Sequence, residues 1–267
     1  MLPMGKDLDL LNTIILSTVQ GVTEFLPVSS TGHLILTSHL LGLSEGEFIK
    51  SFEIAIQLGS IFSIIFLYFR RLTGGILLWS KVLVAFIPTG VLGFIFYKVI
   101  KHYLLGNPYV VVISLITGGI ALIILELAHS NPEKSPASVN TPEEISNIKA
   151  LFIGIFQSIS MIPGVSRSGA TIIGGLLLGL RRKTAVEFSF FLAVPTMFAA
   201  VSYDLIKTGS SFTIAQWKIL VIGFIISFIV AAIAVKAFLS FISKYNFIPF
   251  GIYRILTGFI YWIVVLR

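Results

Sequence analysis

The sequence contains no cysteine and few charged residues. Of its 267 residues, 19 are basic and 12 are acidic, so charged residues make up 12% of the chain, against about 25% in typical globular domains. Without cysteine the chain can form no disulfide, no zinc–thiolate site and no thiol nucleophile. So little charge, together with a mean hydropathy of +0.98, excludes a nucleic-acid-binding module and an ordinary soluble domain.

Long apolar runs take the place of the missing charge. Apolar residues are 56% of the chain, and residues 108–125 contain no charged side chain. Such a run can cross the hydrocarbon core of a bilayer, which is about 30 Å thick, at about 1.5 Å per residue. Hydropathy therefore predicts an all-α polytopic membrane protein with six spanning helices, at about residues 52–69, 82–100, 108–128, 184–206, 217–240 and 247–266.

Two further apolar segments, residues 10–42 and 148–180, do not fit this scheme because a polar stretch interrupts each of them. The interruptions read PVSSTGH at 27–33 and PGVSRSG at 163–169, and they are called the first and second break below. Irregular backbone at membrane depth is tolerated only where protein or water surrounds it. Since each half is too short to span a bilayer, we predict two re-entrant helix–loop–helix pairs.

The two breaks belong to an internal repeat. Gln20 followed by VSSTG at 28–32 matches Gln157 followed by VSRSG at 165–169, an offset of 137 residues, and three other matches keep offsets of 134 to 140. Each repeat would hold one re-entrant pair and three spanning helices, and an odd number of crossings inverts the second repeat. We predict one membrane domain of two inverted-topology repeats, about 10–128 and 148–267, joined by a polar loop at 129–147, with a site where the breaks meet.

A carboxylate, a hydroxyl and an imidazole lie close together in the first break and just before it. Gln20 and Glu24 are four residues apart on one helix face, while Ser30 and His33 stand where the next helix would start. Ionisable residues at membrane depth are expensive and are functional candidates by default. Helix capping by the hydroxyls at 29–31 is the competing interpretation, but capping alone does not call for Glu24 and His33.

The second break places Arg167 between Ser166 and Ser168, ahead of Gly169. Glycine exposes backbone N–H groups, a helix N-terminus adds partial positive charge, and a guanidinium binds phosphate oxygens with two parallel hydrogen bonds. This pattern predicts an oxyanion site. The alternative is a structural ion pair between Arg167 and Glu24.

Among the other charges within the predicted helices, Glu53 and Arg254 are weaker functional candidates. Glu53 lies near a helix start, where the helix dipole alone explains an acidic residue about as well as a functional role does. Arg254 lies inside the last span and must face protein. Either a structural partner such as Asp204 or Glu126, or a substrate, would account for it.

At these residues the chain resembles the undecaprenyl-pyrophosphate phosphatase family, the bacitracin-resistance type of bacterial membrane phosphatase. The resemblance runs from about Leu10 to the C-terminus and is carried by QGVTEFLPVSSTGH at 20–33 and PGVSRSGAT at 163–171. In the family the first motif opens with Glu or Gln, followed by Glu four residues later. Here Gln20 takes the first place, so one potential metal or base carboxylate is absent and Glu24 gains weight.

The resemblance implies removal of the terminal phosphate from undecaprenyl pyrophosphate, which recycles the lipid carrier for cell-wall synthesis. It also implies a bacterial cytoplasmic-membrane enzyme whose site faces the outer side, supported by a divalent cation, Mg²⁺ or Ca²⁺, which could bind at Glu24. The candidate site comprises four catalytic residues (Glu24, Ser30, His33 and Arg167), six phosphate-binding residues (Ser29, Thr31, Ser166, Ser168, Gly169 and Thr171) and two supporting residues (Gln20 and Glu53).

The expected mechanism is attack by Ser30 on the terminal phosphorus, with Glu24 or His33 as base; His33 as the nucleophile is the alternative.

The other class of function is a transporter of a polyprenyl phosphate or another anion, because inverted repeats are common in transporters. The expected partners are the polyprenyl diphosphate and membrane lipids, and a homodimer is one assembly that the sequence allows. One predicted membrane face carries ten basic residues, Arg71 and Arg182 among them, and the other carries seven. The face with ten should be cytoplasmic, which places both termini outside.

Overall fold

The computed structural model describes residues 8–43, 46–99, 103–104, 107–128, 139–208 and 211–266. Within these residues the chain is helical throughout, apart from connecting turns and an isolated bridge between Val139 and Leu180. The α-helices are α1 (Leu10–Thr23), α2 (Ser30–Leu41), α3 (Glu47–Leu67), α4 (Phe69–Gly74), α5 (Ile76–Val99), α6 (Pro108–Ala128), α7 (Asn147–Ser158), α8 (Arg167–Leu177), α9 (Arg182–Thr208), α10 (Ile214–Ile242) and α11 (Ile248–Val265).

Six of these helices, α3, α5, α6, α9, α10 and α11, are long and apolar enough to cross a membrane. Each coincides with one predicted span, so the prediction of an all-α polytopic membrane protein is confirmed. The predicted starts of α3 and α5 were too late by five and six residues, because α3 begins with a turn that contains Glu47 and Lys50, and Lys81 interrupts the apolar run near the start of α5. Most of the predicted polar loop, residues 129–138, lies outside the described residues.

The two interrupted segments form helix pairs, as the breaks predicted. Helices α1 and α2 have 14 and 12 residues, and α7 and α8 have 12 and 11. At about 1.5 Å per residue none of them reaches the 30 Å of a hydrocarbon core. The loops end earlier than the polar motifs suggested, because α2 begins at Ser30 and α8 at Arg167. The residues from Ser30 to His33 and from Arg167 to Gly169 therefore form first helical turns.

The first helix of each short pair packs mainly against one spanning helix, α1 against α10 and α7 against α5. Helix α1 also contacts α3, while α6 pairs with α11 and α3 pairs with α10. Glycines allow the closest approaches: a Cβ at Gly21 on α1 would lie 2.9 Å from the carbonyl oxygen of Ser227 on α10, and one at Gly154 on α7 would lie 2.8 Å from the carbonyl carbon of Ala85 on α5.

Ion pairs tie the helix ends together on the face where α3 ends and α9 begins. Arg71 binds Glu143 and Glu187, each at 2.8 Å, and Arg182 pairs with Glu126. The hydrogen bonds from Arg71 lower the pKa of Glu143, and the same bonds raise the pKa of Arg71. The pairs fix the polar turn at Pro142–Glu144 against α4 and α9.

We expect Gly154→Ala to destabilise the protein although alanine is the better helix former. The added methyl group would overlap the main chain of Ala85, and overpacking of this kind costs about 1–3 kcal/mol. Gly90→Ala on α5 is the matched control, because nothing lies within 4 Å of its Cβ position and the change should stabilise the helix by up to about 1 kcal/mol. Melting temperatures in detergent measure both. Equal melting temperatures would contradict the close α5–α7 contact.

Candidate active site

Both breaks end in the same unusual backbone conformation. Ser29 has a φ of 72° and Ser166 a φ of 74°, and they are the only non-glycine residues with positive φ among those described. Each serine caps the helix that follows: Ser29 Oγ accepts a hydrogen bond from Gly32 N at 3.3 Å, and Ser166 Oγ accepts one from Gly169 N at 3.1 Å. Such backbone costs about 1–3 kcal/mol and persists only where its surroundings hold it.

Arg254 on α11 holds both breaks by their main chain. Its Nη1 donates to the carbonyl oxygens of Pro27 at 3.1 Å and Val165 at 2.9 Å. Its Nη2 donates to those of Gly164 at 3.0 Å and Ser114 at 2.9 Å. Its Nε donates to a fifth carbonyl, that of Leu115 on α6, at 3.4 Å. A guanidinium has five N–H donors, so all of them are used.

The expected acidic partners of Arg254 were wrong. Glu126 binds Arg182 and the backbone N–H of Phe247 instead, and Arg254 takes only carbonyl oxygens. The side chain is 1% exposed, so that one buried cation joins the two breaks and α6 without a carboxylate.

Glu24 stands at the point where the two breaks meet. Its Oε2 accepts hydrogen bonds from Ser30 Oγ and from Gln20 Nε2, each at 2.8 Å. Its Oε1 accepts one from Arg167 Nη2 at 3.0 Å. The side chain of Glu24 is 4% exposed. One buried carboxylate therefore connects the hydroxyl of the first break to the guanidinium of the second.

Arg167 uses most of its donors on protein groups but leaves one free. Nη1 donates to the carbonyl oxygen of Ser189 at 2.8 Å, and Nη2 contacts Met197 Sδ at 3.4 Å as well as Glu24. Its guanidinium lies 5.7 Å from the centre of the Phe25 ring. The Nε atom is buried and has no hydrogen-bond partner, and a buried donor in that state needs an acceptor.

A cavity of about 150 Å³ lies between the breaks. Residues of both breaks and of three other elements line it: Glu24, Ser29, Ser30, Thr31, Gln57, Ser160, Pro163, Gly164, Ser166, Arg167 and Met197. Six of the twelve predicted site residues are in this set. The cavity is large enough for a phosphate-sized anion with water and far too small for a polyprenyl chain.

His33 is close to this cavity but is not part of its lining. Its Nδ1 lies 2.8 Å from the carbonyl oxygen of Ser29, and its Nε2 lies 2.8 Å from the hydroxyl of Tyr253. The two rings stack with centroids 5.5 Å apart and planes 6° apart. Both ring nitrogens are therefore engaged by groups other than Ser30.

Three predicted phosphate-binding residues, in the second break and just after it, are not part of the cavity lining. Ser168 Oγ donates to the carbonyl oxygen of Leu26 in the first break at 2.7 Å, and Thr171 Oγ1 bonds Ser189 Oγ at 2.7 Å. A Cβ on Gly169 would lie 3.1 Å from Arg254 Nη1, so this position is nearly filled.

The predicted supporting residues occupy two different places. Gln20 binds Glu24, as described above, while its Oε1 is buried without a partner. Glu53 accepts a hydrogen bond from Ser38 Oγ at 2.7 Å and is outside the cavity lining.

Sequence reasoning missed several residues at the site. Gln57 carried a weak signal, since it follows Glu53 by one helical turn and so shares its helix face. Met197 lines the cavity as an apolar side chain and carried no signal. Tyr253 stands next to Arg254, but nothing in its own sequence position pointed to the first break.

A comparison with protein families matches residues 13–260 to the family described as bacitracin resistance protein BacA. The chain belongs to this family. Similar proteins include the undecaprenyl-diphosphatase of Persephonella marina, 56% identical over 96% of this chain and 99% of that protein. The undecaprenyl-diphosphatase of Aquifex aeolicus is also 56% identical, over 93% of this chain and 95% of that protein. That of Sulfurihydrogenibium sp. is 54% identical over 95% and 98%.

Membership of the BacA family confirms the resemblance that the two long motifs predicted. The family match and the relatives cover nearly the whole chain, and the family match includes both breaks and Arg254. All the residues that line the cavity therefore lie within the part of the chain that the family match covers.

We expect Arg254→Lys to destabilise this BacA-family protein by about 2–5 kcal/mol, since each buried carbonyl left unpaired costs about 1–3 kcal/mol. A lysine has three N–H donors for five carbonyls and lacks the planar fork. Arg70→Lys, at an exposed position on α4, is the control for loss of a guanidinium. Thermal melting in detergent measures both variants, and an unchanged melting temperature for Arg254→Lys would contradict the clamp.

Proposed function

We propose that this protein hydrolyses undecaprenyl diphosphate to undecaprenyl phosphate and inorganic phosphate at the bacterial cytoplasmic membrane. The activity for which the relatives are named supports the reaction, and the geometry supports the site. The observation that carries the proposal is the buried Glu24 carboxylate, which binds a hydroxyl from one break and a guanidinium from the other. The diphosphate enters the cavity while the prenyl chain stays in the lipid.

In the proposed mechanism Ser30 Oγ attacks the terminal phosphorus and transfers its proton to Glu24. A new O–P bond forms, the bridging P–O bond breaks, and the departing undecaprenyl phosphate takes the proton from Glu24, which becomes a carboxylate again. Water, activated by Glu24, then attacks the phosphoserine and releases inorganic phosphate. The hydrogen bond of 2.8 Å between Ser30 Oγ and Glu24 Oε2 is within the distance that general-base catalysis requires.

Arg167 would stabilise the transferred phosphoryl group. Arg167 lines the cavity, and its buried Nε donor has no acceptor among the described residues. Phosphoryl transfer depends mainly on positioning and on neutralising charge at the equatorial oxygens. The ion pair with Glu24 does not oppose this role, because Glu24 engages only one of the guanidinium nitrogens.

The placement of His33 favours Ser30 as the nucleophile and Glu24 as its base. A nucleophilic imidazole needs a free nitrogen aimed at phosphorus, whereas Nδ1 is held by Ser29 and Nε2 by Tyr253. We therefore assign His33 a role in holding the first break.

The oxygen atoms around Glu24 fit a divalent cation that arrives with the diphosphate. Among the described residues no group of three or more His, Cys, Asp or Glu side chains could hold a metal ion. Glu24 offers one carboxylate, and Gln20 Oε1 is a buried amide oxygen without a partner. Mg²⁺ is typically bound by one or two carboxylates together with substrate phosphates. Glu24 and Gln20 would hold Mg²⁺ or Ca²⁺ with the diphosphate, and the ion would supply further neutralisation of phosphate charge.

We also propose that α1–α2 and α7–α8 are re-entrant pairs in two inverted repeats, about 10–128 and 148–267. Their lengths support this, since none spans a bilayer. Ser29 and Ser166, which are 137 residues apart, also share one backbone conformation. In addition, the first helix of each pair packs on a spanning helix of the other repeat, α1 on α10 and α7 on α5. The face with Arg71 and Arg182 would be cytoplasmic, with the site open to the outer side.

Phosphate release from purified protein tests the proposed reaction. In detergent micelles there is no second compartment, so a transporter of polyprenyl phosphate or another anion would release nothing. We expect inorganic phosphate to be released from undecaprenyl diphosphate in the presence of Mg²⁺ or Ca²⁺. No release with either ion would overturn the proposal.

Trapping the phosphoenzyme identifies the nucleophile. With label in the terminal phosphate, we expect an acid-stable phosphoserine that disappears in Ser30→Ala and persists in Ser80→Ala, a control hydroxyl bonded only to the carbonyl of Leu77. Because phosphohistidine is acid-labile, an acid-labile label would transfer the role to His33.

Glu24→Gln should lower kcat by about 10²–10⁴-fold, the range for a positioned acid–base group. A glutamine keeps the shape and can still accept from Arg167, so the protein should insert, and its melting temperature should be measured beside its rate. Gln20→Ala, which removes a neutral amide that can accept no proton from Ser30, should cost roughly tenfold or less. Equal losses at both positions would show that this division of roles is wrong.

A further inference from the structure

We propose that Tyr253 is a positioning residue for the reaction, acting on the nucleophile through His33. Its hydroxyl fixes the His33 ring, and that ring holds the Ser29 carbonyl directly before Ser30. This inference rests on the proposed function, in which Ser30 attacks phosphorus.

The hydrogen bonds define the protonation of each atom in this chain of contacts. A carbonyl oxygen can only accept, so His33 Nδ1 must carry the proton that bonds Ser29 at 2.8 Å. In the neutral imidazole Nε2 is then an acceptor, and the Tyr253 hydroxyl must donate to it. The stacked arrangement of the two rings leaves the imidazole little freedom to rotate.

The Ser29 carbonyl connects the His33 ring to the nucleophile Ser30. It accepts both the His33 backbone N–H at 3.2 Å and His33 Nδ1 at 2.8 Å. The same peptide unit joins Ser29, at its φ of 72°, to Ser30, whose Oγ points at Glu24. Misplacement of a reacting group by about 1 Å can cost on the order of 10²-fold in rate.

The second break shows that a turn of this kind forms without a tyrosine–histidine pair. Ser166 has nearly the same φ as Ser29, yet the residue that corresponds to His33, 137 positions later, is Ala170. The bond from the Ala170 backbone N–H to the Ser166 carbonyl, at 2.9 Å, suffices there. The tyrosine–histidine pair therefore occurs in the break that carries the nucleophilic hydroxyl, and its role belongs to the chemistry.

The first experiment compares Tyr253→Phe with Tyr109→Phe, which removes a hydroxyl from an exposed tyrosine on α6. We expect Tyr253→Phe to lower kcat by about 5- to 50-fold with little change in KM, as one buried acceptor loses its donor, and Tyr109→Phe to resemble wild type. A wild-type kcat in Tyr253→Phe would overturn the proposal.

A double-mutant cycle tests whether the effect passes through His33. His33→Asn keeps an N–H donor near Nδ1 and removes Nε2, so Tyr253→Phe should cost nothing further in that background. His33→Gln, whose amide reaches the Nε2 position and not Ser29, should be slower than His33→Asn. Full additivity of the Tyr253 and His33 changes would overturn the proposed route.

Nitrogen-15 spectroscopy of histidine-labelled protein provides a readout that needs no substrate. The wild-type His33 signal should report a protonated Nδ1 and a hydrogen-bonded, unprotonated Nε2, and Tyr253→Phe should lose the second feature. The opposite tautomer in the wild type would overturn the proposal. If this signature is present but no phosphate is released, the positioning contact stands and the proposed function fails.

Discussion

The whole site depends on the pairing of five backbone carbonyls with one buried guanidinium. Where a helix is interrupted at membrane depth, its carbonyl groups lose their helical partners and have no water to bind, and each unpaired group is costly. Arg254 satisfies carbonyls of Pro27, Gly164 and Val165 from both breaks, and two more from α6. One side chain thus removes the main penalty of both interruptions at once. Because it does so for both, it also fixes where they lie relative to each other, and in that arrangement Glu24 reaches Arg167.

The same constraint sets the electrostatics of the cavity. Arg254 is balanced by carbonyl dipoles and not by a carboxylate, whereas Arg167 has a carboxylate partner in Glu24. The three charges at the site therefore sum to a positive charge, in surroundings of low dielectric constant where charge acts strongly. An incoming diphosphate brings the missing negative charge. A neutral lipid headgroup would not, which is why a buried, incompletely balanced arginine pair suits an anionic substrate better than a purely structural role.

Much of this arrangement could be predicted from the sequence. Apolar runs gave the six spans, and the polar breaks with their repeated spacing brought Glu24, Ser30 and Arg167 into one place, because ionisable groups at membrane depth must find one another. The partners of Arg254 could not be predicted, since its acceptors are main-chain carbonyls, which every residue carries and no side-chain pattern marks. The orientation of His33 was equally hidden, because Tyr253 reaches it from 220 residues away in the sequence.

The two breaks share a backbone and differ in chemistry. Each has a serine cap in the left-handed region and each begins a helix in the same way, but one continues with Ser30 and the other with Arg167 at the matching position. Two similar turns thus present a hydroxyl and a cationic donor to the same carboxylate. A single break could supply only one of these groups from that position. The proposed mechanism needs both groups, because Ser30 would attack the phosphorus while Arg167 would neutralise the phosphoryl charge, and two similar turns that differ at this one position supply them together.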